Sequence, residues 1–130
     1  MNKKELISYL DEYLKINSFE DRSKNGLQVD NQKEEILKIG YSVDPTNFIF
    51  EKAIQENVDM VISHHHIFNG QGQVLTGILY KRIYNLIKND IALFACHLPL
   101  DAHSEVGNNI GLLKAFVRIF DLQDYEIDCF

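Results

Sequence analysis

Two short runs constrain this chain most: "VDMVIS" at 58–63 and "IALFAC" at 91–96. Each is nearly continuous in apolar residues and far too brief to cross a membrane. A strand that is apolar on both faces must be covered on both sides. That requirement is met by a parallel sheet held between helices. The segments around the two runs supply the cover. Residues 77–88, "GILYKRIYNLIK", repeat apolar positions at helical spacing, with Ile78, Leu79, Ile83, Leu86 and Ile87 facing inward. Asp44 can cap a helix that opens on Pro45 and runs to about Asn57, with Phe48, Ala53 and Ile54 as core contacts.

The same alternation extends to both ends. Residues 3–15 form an amphipathic helix through Leu6, Ile7, Leu10 and Leu14, with Asn2 and Glu5 as its capping box. "NSFEDRSKNG" is a polar loop, "GLQVD" an edge strand, "NQKEE" a turn and "ILKIGYSVD" a strand. "NNIGLLKAFVRIF" is a last helix, and the tail "DLQDYEIDCF" resembles the start of a further strand. The expected architecture is α/β: a parallel or mixed sheet covered by helices, in one domain spanning residues 1–130.

Charge narrows the partners. A net charge of −6 and a pI near 5.3, with Lys and Arg scattered, argue against a nucleic-acid backbone as partner. The two cysteines, Cys96 and Cys129, are too few for a disulfide framework, and Cys96 reads as a buried small hydrophobe. "MNKKELISYLDEYL" lacks a signal peptide's apolar core. The expectation is a cytoplasmic protein with neither a nucleic-acid nor a membrane partner.

Ligands of parallel sheets gather at the carboxyl ends of strands. Here one such end carries Ser63-His64-His65-His66, and another carries "HLPLDAHSEVGNN", with His97, Asp101, His103 and Glu105. All five histidines fall in these two segments. A run of three histidines can be a solvated loop; the second cluster turns the reading toward a metal. Imidazoles with a carboxylate suit a first-row divalent ion, and two ions a few ångströms apart would suit a hydrolytic displacement. His64, His65 and Asp101 are the candidate ligands. His97 could be a ligand, the partner of one, or a proton carrier, and is the candidate catalytic residue. His66 is hard to aim at the same point. His103 and Glu105 read as surface residues, and Tyr80 and Tyr84 as packing.

"NGLQV" (25–29), "SHHHIF" (63–68) and "HLPLDAHSEVGNN" (97–109) together resemble the Nif-three-like family of dinuclear metal proteins, whose bacterial members are commonly named GTP cyclohydrolase I type 2 homologs. The resemblance implies that His64, His65 and Asp101 bind one or two divalent ions: zinc, manganese, iron, nickel or cobalt. It implies metal-dependent hydrolysis of a nucleotide or phosphorylated small molecule. It also implies a homo-oligomer, a hexamer in the family, with the sites facing a cavity. Family members are about twice as long, and their later half supplies a histidine and a glutamate that complete the metal shells. The expectation from the resemblance is a chain that corresponds to the family's N-terminal half, without the C-terminal half. The alternative is a non-catalytic metal-binding or assembly module with an incomplete dinuclear site, working with a separate C-terminal half.

Overall fold

The structure is a computed structural model that describes residues 1–68 and 73–121. The strand expected in the tail, the centre of the Gly- and Gln-containing loop, and Cys129 lie outside the described residues. The elements run α1 (Lys3–Tyr13), a 3₁₀ turn (Ile16–Ser18), β1 (Gly26–Val29), β2 (Ile39–Ser42), α2 (Asn47–Gln55), β3 (Met60–Ser63), α3 (Gly77–Lys88), β4 (Ala92–Ala95), α4 (Leu98–Asp101) and α5 (Asn108–Ile119). The sheet order is β1-β4-β3-β2. β2, β3 and β4 are parallel and β1 runs antiparallel on β4, so the sheet is mixed.

β4 is buried at every position, as its composition requires. Alternate residues serve two half-cores. Val61 and Leu93 pack with Phe50, Ala53, Ile83 and Leu86 under α2 and α3. Met60, Ala92, Phe94 and Cys96 pack with Leu6 and Leu14 of the α1 segment. Burial pushes the Cys96 thiol up to about 11, which keeps it neutral in its role as a small core residue.

Several expectations need correction. The α2 cap is Thr46, whose Oγ1 accepts from Ile49 N–H at 3.3 Å, and the helix starts at Asn47. Asp44 is engaged elsewhere. With the register moved, Phe50 is the buried aromatic and Phe48 is 73% exposed. Ile78 and Ile87 also lie outside, on the flank of α3. The strand expected at 36–44 shrinks to Ile39–Ser42: before it, Ile36 N–H donates to Met1 O, and Leu37 and Lys38 N–H donate to the Asp59 carboxylate. The segment after His97 turns into the short helix α4, with Pro99 in its first turn, where a missing N–H costs nothing.

The amino ends of the parallel strands are tied by two side chains. Asn31 donates to the carbonyls of Asp59 (3.0 Å) and Asp90 (3.1 Å). Asp59 accepts from Leu37 N–H (2.8 Å), Lys38 N–H (2.9 Å) and the Lys33 ammonium. Burial works to raise the Asp59 carboxyl, but the Lys33 charge and the two N–H donors outweigh it and hold the group below the usual carboxylate range. A depressed native value stabilises the fold above the unfolded-state pKa of about 3.9, and that stability is lost as pH falls through the native value. Asp59→Asn is therefore expected to lose about 1–3 kcal/mol at pH 7 and to flatten the acid limb. Urea unfolding at pH 7 and pH 3 checks this; identical pH slopes for both proteins would count against it.

Candidate metal centre

Parallel register sets the site. Ser63 of β3 pairs with Ala95 of β4, so both strands end at one level. The ladder continues a little further: His64 N–H donates to Ser42 (3.1 Å), His65 N–H to Val43 (2.9 Å) and Cys96 N–H to Ser63 (3.0 Å). His64, His65 and His97 therefore emerge side by side. Ring centroids lie 4.8 Å apart for His64–His65, 4.9 Å for His64–His97 and 5.7 Å for His65–His97. One nitrogen from each ring can be chosen so that all three lie within 4.8 Å of one another. Asp101, at the end of α4, places Oδ2 3.7 Å from His64 Nε2.

Each member is steered by a neighbour. His65 Nδ1 lies 2.6 Å from Asp44 Oδ1. A carboxylate only accepts, so Nδ1 carries the proton, and in the neutral ring the lone pair is then on Nε2. His97 Nδ1 faces Asp21 Oδ2 at 3.3 Å and Ser23 Oγ at 3.4 Å, which frees its Nε2 in the same way. Asn108 Nδ2 donates to Asp101 Oδ1 at 2.9 Å and stands 3.5 Å from His64 Nδ1, linking the start of α5 to both.

Asp21 is the least expected part. Its side chain is only 5% exposed, yet it comes from the polar loop before β1. It accepts from Ser23 N–H (2.8 Å), Leu98 N–H (3.1 Å) and Asn25 Nδ2 (3.2 Å). Burial acts to raise its pKa, but these donors together outweigh that and hold it at about 2. Asn25 completes the cage by accepting His97 N–H at 2.7 Å. The loop reaches this place because β1 is antiparallel: Gly26 pairs with Ala95, so the residues before β1 lie beside those after β4. Gly26 itself has φ +98°, where a side chain is strained.

The remaining histidines part ways. His66 is outside the three-ring group, 6.2 Å from His97. His103 is no plain surface residue. Its Nε2–H donates to Tyr13 O (2.9 Å), while Nδ1 accepts from Glu105 N–H (3.2 Å) and Val106 N–H (3.3 Å). It pins the turn between α4 and α5 to the end of α1.

The donor set fits a divalent cation: three imidazoles, two of them each backed by its own carboxylate, and Asp101 adjacent to the third. A closed tetrahedral shell spaces its nitrogens about 3.4 Å apart. The 4.8 Å span is wider, so to hold one ion the rings would have to draw in, and at their present spacing they would suit two.

The comparisons with known proteins give the family. The family model described as Duf34/NIF3 (NGG1p interacting factor 3) matches residues 1–126. The GTP cyclohydrolase 1 type 2 homolog of Pyrococcus horikoshii is 47% identical over 114 residues, covering 88% of this chain and 45% of the relative. The crystal structure of TTHA1606 from Thermus thermophilus superposes with a TM-score of 0.84 at 46% identity, covering 88% of this chain and 47% of that one. Reduced HcgD from Methanocaldococcus jannaschii gives 0.78 at 28% identity, covering 97% and 49%. The chain spans about half the length of the curated relatives it matches. The resemblance carried by "NGLQV", "SHHHIF" and "HLPLDAHSEVGNN" is borne out.

Proposed function

The chain belongs to the Duf34/NIF3 family, and from that premise we propose that it binds one or two divalent ions and supports metal-dependent hydrolysis of a nucleotide or phosphorylated compound. The observation that carries the reading is the meeting of three imidazoles from two strand ends. His64, His65 and Asp101 hold the metal. His97 lies close enough to serve as a further ligand; as a proton carrier, its candidate catalytic role, it would use the same Nε2 lone pair. A divalent ion held there supplies Lewis acidity and lowers the pKa of water. The chain's own residues supply orientation: Asp44 fixes the tautomer of His65, Asp21 that of His97, and Asn108 holds Asp101 against His64.

Metal analysis of purified chain loaded with zinc or manganese tests this. Wild type is expected to retain about one or two ions per chain, and His64→Ala and Asp101→Ala several-fold less. Equal trace metal in all three proteins would sink the reading.

A second reading, an assembly module, is favoured by one observation. α5 leaves Leu112, Phe116 and Ile119 exposed along its length, an apolar stripe that asks for cover. Self-association, or association with a separate C-terminal half, would provide it. Sizing chromatography of the chain alone and mixed with such a half distinguishes the cases. A monodisperse monomer that ignores the other half excludes the assembly role.

A further inference from the structure

A cleft of about 340 Å³ opens beside His65, lined by Asp44, Pro45, Thr46, His65, His66 and Arg82. It shares His65 with the imidazole cluster, so a molecule seated in it would adjoin the candidate metal centre. Arg82 comes from α3. Its Nε is shielded from solvent and has no hydrogen-bond partner, and no carboxylate among the described residues lies within ion-pair distance of it. His66 Nδ1 is likewise shielded and without a partner. Thr46 Oγ1 already accepts from Ile49 N–H, which leaves its hydroxyl proton to donate. The carboxylate lining the cleft, Asp44, is engaged by His65 at 2.6 Å.

The cleft is lined by a guanidinium, a hydroxyl donor and an imidazole nitrogen that can donate or accept, against one carboxylate, Asp44, whose Oδ1 is taken by His65. A shielded guanidinium N–H is costly unless an acceptor meets it, and an anion is the acceptor that also matches the charge. A cation next to a cation-binding cluster also works against metal uptake by simple repulsion. Its position makes physical sense if an anion bridges the two. The donors come from three directions: the start of α2, the segment after β3, and α3. That spread suits a tetrahedral oxyanion, which only accepts, better than a flat carboxylate. The volume lies at the small end of ligand sites and takes a phosphoryl group with part of what it is attached to.

We propose that this cleft is an anion subsite that seats the phosphoryl group of the substrate while its reacting part reaches His64, His65 and His97. The assignment rests on the metal-dependent reading above and names the substrate's recognised group. Inorganic phosphate is the probe. It is titrated calorimetrically into the metal-free full chain, as wild type and as Arg82→Gln, with acetate as the flat comparison, and zinc uptake is measured separately on each protein. Arg82→Gln is expected to weaken phosphate roughly tenfold or more, the size of a lost charge-assisted contact. Zinc uptake should not fall below the wild-type level, because loss of the Arg82 charge removes a repulsion, and acetate should bind several-fold more weakly than phosphate. Phosphate that binds both proteins alike, no phosphate binding by wild type, or acetate equal to phosphate would each overturn the assignment. If circular dichroism shows Arg82→Gln unfolded, His66→Gln takes its place with a several-fold loss expected. A wild-type chain that takes up no zinc, yet whose phosphate affinity falls on Arg82→Gln, would defeat the metal reading and leave the anion subsite standing.

Discussion

Gly107→Ala is expected to destabilise the chain by about 2–4 kcal/mol and to cut its metal content several-fold. The reason is space. Gly107 has φ −67° and ψ 155°, a conformation open to alanine. A Cβ there, however, would lie 2.3 Å from His103 O, 2.6 Å from Leu100 O and 2.9 Å from His103 N. These are backbone atoms and cannot swing aside, so the turn between α4 and α5 would have to open. That turn holds Asp101 against Asn108 at 2.9 Å and within 3.7 Å of His64. Opening it would withdraw the carboxylate from the imidazoles. Gly111 supplies the control. It sits in α5 with nothing within 4 Å of its would-be Cβ, so Gly111→Ala should be neutral or stabilising by up to about 1 kcal/mol. Urea denaturation and metal analysis on both variants check the pair. Equal stabilities for the two alanine variants would refute the steric account.

Asp21→Ala is expected to lower stability by about 2–3 kcal/mol and to weaken zinc binding roughly 10–100-fold. Removing the carboxylate leaves Ser23 N–H, Leu98 N–H and Asn25 Nδ2 short of an acceptor in a buried place, and frees the His97 ring to turn. Asp21→Asn sharpens the test. Its amide can accept through one atom only, so it should recover part of the stability while zinc affinity stays low. Chelator competition on the folded proteins gives the affinities. A scaffold role alone would lower the melting temperature and leave the zinc affinity of the folded protein intact; that outcome would remove Asp21 from the site.

The imidazoles were legible because they are local. His64 and His65 are adjacent in the chain and directly follow an apolar run, and His97 and Asp101 follow another. Two parallel strands joined by a helix end on the same side of the sheet, so the two clusters could be neighbours, and the pairing of Ser63 with Ala95 makes them so. The Asp21 cage was not legible. Its contacts to His97 and Leu98 span 76 and 77 residues, and "NSFEDRSKNG" has the composition of any polar loop. The α2 cap was misassigned for a related reason. Asp44 and Thr46 are both good caps by type, and the choice fell to Thr46 because His65 takes the Asp44 carboxylate.

The sequence by itself determined the alternation of buried strands and covering helices, the half-cores that follow from period-two burial, and the two histidine-bearing strand ends. Those features depend on patterns within about a dozen residues, where chain geometry leaves little choice. Only the tertiary structure decided that β1 turns antiparallel onto β4, that the preceding loop thereby delivers Asp21 and Asn25 to His97, and that Gly107 must be bare. Each of those depends on which distant atom already occupies a given place, and packing settles that where spacing along the chain does not.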